Sequence, residues 1–197
     1  MIYQKSYPAP AIDEKQILRY VGVPGADAEL ISLVRECVDE AMPKLSYNVC
    51  YGEFDLKIGE GVDLGFMKSG SKALSKNLFG CESAVVFAAS VGVGIDRLIS
   101  RYSAVSPTKA LILDGIGAER IESLCDAFCE DLAKEKANEG YALRPRFSAG
   151  YGDLPLHLQK DIFSVLEPSR RIALSLNESM VMSPSKSVTA IIGVYKR

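Results

Sequence analysis

Residues 83–93, SAVVFAASVGV, form a nearly continuous apolar run with neither helical spacing nor the polar alternation of a strand that has one wet face. That is the pattern of a central strand buried on both sides. A chain that contains one must cover it twice. The fold class expected for the chain as a whole is α+β: a twisted, mixed but mainly antiparallel sheet with helices packed on it. At 197 residues the chain fits one domain, residues 1–197, and is long enough to bury a sizeable core.

The remaining elements follow from periodicity. Residues 1–44 read as an N-terminal helical segment. Within it, 12–21 form a short helix capped by Asp13 and broken at Gly22–Gly25, and Asp27 starts a second helix that runs to about Met42. From Ser46 the period changes to two. Tyr47, Val49 and Tyr51 alternate in one phase and Phe54, Leu56 and Ile58 in the other, which predicts a bulge or tight bend at Gly52-Glu53. Val62–Met67 reads as a short strand and Ser69–Leu78 as a modest helix. After the central strand, Gly92-Val93-Gly94 leads into a helix with Ile95, Leu98, Ile99 and Tyr102 on one face. A long helical region, 108–138, follows, with a bend expected near Gly115-Ile116-Gly117. Its Ile121, Leu124, Cys125, Phe128 and Leu132 make an apolar stripe, with Glu119, Glu122, Asp126 and Glu130 read as a solvated acidic face. Leu156–Leu166 reads as a helix with Gln159 and Lys160 in solvent. Ile172–Leu174 and Met180–Met182 read as short strands, and Ser187–Tyr195 as a longer one.

Composition excludes several classes. A net charge of −2 argues against a nucleic-acid protein, which would carry a basic excess. The start, MIYQKSYPAP, has no signal-peptide core, and no apolar run reaches membrane-spanning length, so a cytoplasmic location is expected. Five cysteines without C-x-x-C spacing read as reduced, buried thiols. Cys125 and Cys129 have no nearby histidine, and His157 is the only histidine, so no metal site is expected. No nucleophile, base and oxyanion hole can be assembled, and no independent catalytic site is evident. The stretch strand–Gly92-x-Gly94–helix is also how a nucleotide loop begins, but Arg97 stands where the third glycine would be. Glycines that let the strand end pass close to another element are the preferred reading.

The densest chemistry lies in Arg144–Gln159, RPRFSAGYGDLPLHLQ. Glycine and proline make Ser148–Pro155 a shaped loop, with Asp153 expected to cap the helix that follows it. Arg146 presents a rigid fork of donors suited to a carboxylate or phosphate; a salt bridge to a helix carboxylate is the ordinary alternative. Backbone around Ser148, Ala149 and Gly150 can approach a ligand closely, and Tyr151 offers a flat face and a hydroxyl.

This loop, with Arg146, Gly150, Tyr151 and Pro155, is followed by Leu176–Val188, in which Glu178, Ser179, Met182, Pro184, Ser187 and Val188 form an L-x-E-S-x-x-M-x-P-x-x-S-V run. The pair resembles the activation (reactivation) domain of vitamin B12-dependent methionine synthase. The likeness covers the last quarter of the chain and reaches weakly back to about Ala110. Asp126-Ala127-Phe128-Cys129-Glu130 is similar to an E-A-F-A-E run whose last glutamate lies at that family's adenosylmethionine site, which makes Glu130 a candidate. The loop departs from the family in continuing Gly152-Asp153-Leu154-Pro155. The resemblance implies a stand-alone form that binds S-adenosylmethionine through Arg146, Ser148, Ala149, Gly150, Tyr151 and Glu130. It further implies docking on the cobalamin-binding domain of a separately encoded methionine synthase. There cob(II)alamin would be reduced by flavodoxin or a similar reductant and then remethylated. Two alternatives remain: an accessory module of another corrinoid methyltransferase system, and an independent adenosylmethionine-dependent methyltransferase using Gly92 and Gly94.

Overall fold

The computed structural model describes residues 1–23 and 25–197; Pro24, inside the break expected at Gly22–Gly25, lies outside them. The chain opens with β1 (Ile2–Ser6), α1 (Glu14–Val21), α2 (Ala28–Ala41) and β2 (Asn48–Asp55). A small meander follows, β3 (Lys57–Ile58), β4 (Val62–Asp63) and β5 (Lys68–Ser69), then α3 (Lys72–Asn77) and β6 (Ser83–Ser90). Next come α4 (Gly94–Ser103), α5 (Pro107–Asn138), β7 (Tyr141–Leu143), α6 (Gln159–Leu166) and α7 (Pro168–Ile172). The chain closes with β8 (Ser175–Leu176), β9 (Met182–Ser183) and β10 (Ser187–Lys196). The main sheet has the order β1-β2-β6-β10-β7, which puts the apolar run at its centre. Every neighbouring pair in it is antiparallel, so the strand–GxG–helix stretch opens no parallel βαβ crossover.

Both faces of β6 are covered, as its sequence demands. Val85, Phe87 and Ala89 pack into one core with α1, α2, α4 and α5. Ala84, Val86 and Ala88 pack into a second core with α3, α6, α7, the meander and the loop around Phe147. This double burial also explains the phase change in β2. No bulge occurs at Gly52-Glu53: β2 pairs with β6 in unbroken register from Asn48↔Ser90 to Asp55↔Ser83. Tyr47, Val49 and Tyr51 serve the first core while Cys50 and Phe54 serve the second. A strand with two buried faces shows whichever face is more apolar at each end. Gly52 supplies room rather than a bend, since a side chain there would meet Ile2.

Both N-terminal caps form as expected: Asp13 accepts from the Gln16 N–H and Asp27 from the Leu30 N–H. The glycines of α5 lie inside an uninterrupted helix and are packing sites, Gly115 lying against Val21 and Gly117 against Lys186 and Ile95. Residues 172–174 are not a strand. Pro168 starts the short helix α7, which ends at Ile172, and the strand begins at Ser175. The strand expected at Met180–Met182 likewise starts later, at Met182. Gln159 is buried at the start of α6 rather than solvated. Gly92 (φ 79°) and Gly94 serve close packing: side chains there would run into Ser46 and the Lys44 carbonyl.

One expectation about α5 fails with consequences. Glu119 is 1% exposed rather than solvated, beside Arg120 at 0%. The Arg120 guanidinium pairs with Glu119 and donates to the carbonyls of Pro10 (2.6 Å) and Ala11 (2.7 Å). Glu119 accepts from the Asp13 N–H (3.2 Å) and the Ser123 hydroxyl (2.8 Å). The pair ties the N-terminal segment to α5, and the carbonyl and amide groups of that segment complete what two buried charges require.

Two measurements check this packing. Glu119→Gln leaves Arg120 buried without its counter-charge and should cost about 3–5 kcal/mol in urea unfolding. Gly94→Ala should cost about 1–3 kcal/mol by overpacking against Lys44. Neutral behaviour of either variant would contradict the packing described.

Candidate functional site

The site is shaped by an irregular edge of the sheet. β10 pairs Val194 with Leu143 in β7, and then Ile191 with Phe147. Four residue steps on one strand oppose three on the other, so the Arg144–Arg146 segment holds one extra residue, as in a β-bulge. Pro145 fits there because it has no N–H to leave unpaired. The bulge separates neighbouring side chains: Phe147 and Ala149 enter the second core, while Arg146 reaches α5 on the other side.

There the guanidinium meets two carboxylates one helical turn apart, donating to Asp126 (2.6 Å) and to Glu122. Arg146 is half-buried. Burial works against its charge, but the hydrogen bond to Asp126 and the nearby Glu122 carboxylate outweigh it and hold its pKa above the ordinary value. Burial also pushes the Cys129 thiol up, partly offset by Arg146. Next to the ion pairs lies a groove of about 490 Å³, walled by Cys129, Glu130 and Ala133 of α5 and by Leu143–Arg146, with Ile192 beneath. Arg144 lies over the Tyr195 ring (4.5 Å) and donates to the Phe79 carbonyl (3.0 Å).

Beyond Phe147 the loop closes on itself. The Gly150 N–H donates to the Leu154 carbonyl (2.9 Å), the Leu154 N–H to Tyr151 (3.1 Å) and the Tyr151 N–H to Ser148 (3.2 Å). Gly150 sits at φ 87°, a region that side chains disfavour. Tyr151 is 70% exposed, its ring edge-on to Phe147 at 5.5 Å.

Of the residues singled out by sequence, the fold therefore brings Glu130 and Arg146 to one groove. Ser148 is half-buried at the loop's start, Ala149 is buried in the second core, and Gly150 and Tyr151 are exposed at the tip. These four do not line the groove. Sequence reasoning missed Arg144 and Ile192. Glu122 and Asp126 do face solvent, but their pairing with Arg146 was not foreseen, although their spacing with Glu130, four residues each time, is a legible carboxylate row. His157 is exposed. The Leu176–Val188 run builds the β8–β9 hairpin and the entry to β10. Asn177 accepts from the Val181 N–H (2.9 Å), Ser185 is held by Asp96, and the Ser187 hydroxyl donates to the Pro184 carbonyl (2.9 Å). Glu178 and Ser179 are exposed in the turn.

No family model and no curated protein matches this sequence. Among solved structures, the chain is similar to the MetH reactivation domain bound to AdoHcy, with a TM-score of 0.72 at 14% identity, over 98% of this chain and 78% of that one. The chain has the fold of a MetH reactivation domain. The reactivation-domain architecture accounts for the antiparallel sheet covered by helices. Among the described residues no helix is long and apolar enough to cross a membrane.

Asp153 was expected to cap its own helix and does something else. Its carboxylate caps α3, accepting from the Ser71 hydroxyl, the Lys72 N–H (2.8 Å) and the Ala73 N–H (3.2 Å). It thereby fastens the loop to a helix some eighty residues earlier. These donors, Ser71 first, hold the Asp153 pKa below its ordinary value. A lowered folded-state pKa gives stability that is present above the unfolded value of about 3.9 and is lost as pH falls through the folded value. Asp153→Asn should therefore lower the melting temperature at neutral pH, and the gap from the parent protein should close below about pH 3.9. A gap independent of pH would show that the carboxylate's charge plays no part.

Proposed function

We propose that this protein binds S-adenosylmethionine and reactivates a separately encoded cobalamin-dependent methionine synthase. The observation that carries the reading is the pairing of the Glu130 carboxylate and the Arg146 guanidinium on the walls of one groove with the apolar Ile192 beneath. An amino-acid head group needs an acceptor for its ammonium and a donor fork for its carboxylate. Glu130 and Arg146 provide these two groups. Glu130, whose carboxylate lines the groove while Glu122 and Asp126 pair with Arg146, also suits a ligand that bears a positive sulfonium. Ser148, Ala149 and Gly150 do not line the groove, so their part in this reading is to shape the loop that presents the exposed Tyr151 ring toward a docked partner. When bound, adenosylmethionine supplies the methyl group, and the protein's part is to hold it in position while the partner's cobalamin carries the reaction. The fold likeness to a reactivation domain bound to AdoHcy, the demethylated form of that ligand, supports the reading. The partner in this reading is the cobalamin-binding domain, and a flavodoxin-like protein supplies the electron.

Arg146→Lys is the discriminating variant, because it keeps the charge and removes the fork. Hydrogen bonds to charged groups contribute about 1.5–3 kcal/mol, so adenosylmethionine affinity by isothermal titration should fall about ten- to a hundredfold. The variant should also fail to restore a synthase held as cob(II)alamin, followed by visible absorbance. If affinity and reactivation both match the parent, Arg146 serves only its ion pairs with α5 and the site is misplaced.

A further inference from the structure

A second cavity, of about 410 Å³, lies away from the groove at the β1–β2 side of the sheet, where the carboxyl end of β6 meets α7. Beside it runs a polar row set by register, of which Asn48 lines the cavity. Ser6, Asn48, Ser90 and Ser187 stand opposite one another in four successive strands, forming a polar row across the sheet. They share the face that carries Cys50 and Ala88 one step further in, so an apolar face turns polar at its end. Arg170 and Arg171 line the cavity from α7, with Ser46, Asn48, Gly92 and Val93 around it, and no carboxylate is among the lining residues.

The donors there outnumber their partners. The Ser6 hydroxyl donates to Asn48 Oδ1 (2.7 Å), which leaves the Asn48 amide N–H groups for another acceptor. Arg171 is positioned by its Nε donating to the Leu166 carbonyl (3.0 Å), with Glu167 3.6 Å from its fork. Among the described residues the Arg170 side chain has neither an ion pair nor a hydrogen bond, although it borders a cavity with a second guanidinium in it. The lining residues Gly92 and Val93 lead into α4, whose first turn carries Asp96, held by Ser185. Two guanidinium forks and the Asn48 amide in a concave space of small-ligand size match an oxyanion with several acceptor oxygens. The geometry points to a binding site for the phosphate group of a small phosphorylated metabolite, separate from the Glu130–Arg146 groove. Strand order sets the two apart: the cavity lies at the β1–β2–β6 side and the groove at the β10–β7 edge.

The test titrates the intact, isotope-labelled protein with pyrophosphate at constant ionic strength, following the amide signals of Gly92, Val93 and Gly94 and the side-chain amide of Asn48, with citrate as the carboxylate control. Saturable shifts are expected with pyrophosphate and weaker ones with citrate. Arg170→Gln should weaken pyrophosphate binding by at least about tenfold, the share of a charge-assisted contact, with an unchanged melting temperature, and Arg170→Lys should recover part of the affinity. Arg146→Lys should leave it unaltered. Absence of saturable shifts at these amides, equal binding by Arg170→Gln, or equal affinity for citrate would each overturn the proposal.

Discussion

The whole architecture depends on burying β6 on both faces. Its backbone pairs with β2 on one side and β10 on the other, so the strand has no free edge and needs apolar cover above and below. Four helices supply one cover; three short helices, the meander and the Phe147 loop supply the other. The second cover is assembled from pieces scattered between Val62 and Leu174, none long enough to be stable alone. Each is held where it is by the apolar face it closes and by a few polar fastenings, of which Asp153 on α3 is the most direct.

α5 joins fold to site. Its buried side serves the first core, its Glu119–Arg120 pair anchors the N-terminal segment, and its Glu122, Asp126 and Glu130 row meets the bulged edge of the sheet. The ion pairs of Arg146 have two effects. They fix the guanidinium against α5, which places its fork beside the groove, and they occupy two of its five donors. A ligand carboxylate arriving there would share the guanidinium with Asp126 and Glu122 and not meet a free charge. Preorganisation of this kind trades raw attraction for geometry: a half-buried arginine already ordered loses little entropy on binding.

Much of the local structure was readable because it is set within a few residues. Asp13 and Asp27 cap helices three residues ahead, β6 and β10 declare themselves by apolar and β-branched runs, and the glycines at 92 and 94 sit where chain segments cross. The paired motifs at Arg146–Pro155 and Leu176–Val188 carried the fold likeness at an identity of 14%, too low for overall sequence similarity to do so. Misreadings fell where one residue type serves two environments. β2 looked bent because both of its faces are buried, and Glu119 looked solvated because a carboxylate opposite an apolar stripe usually is.

By itself, then, the sequence determined the central strand with its demand for two covers and most of the helices, but not β1 inside the 1–44 stretch read as helical nor α7 where a strand was expected. Only the tertiary structure decided which partners the polar residues keep. Arg146 finds its carboxylates twenty and twenty-four residues away, and Asp153 finds its helix more than eighty residues away. Periodicity and capping act over one or two turns, whereas such pairings depend on how strands and helices stack in space. That is why Glu130 and Arg146 share a groove while Ala149, three residues beyond Arg146, is buried on the opposite face of the sheet.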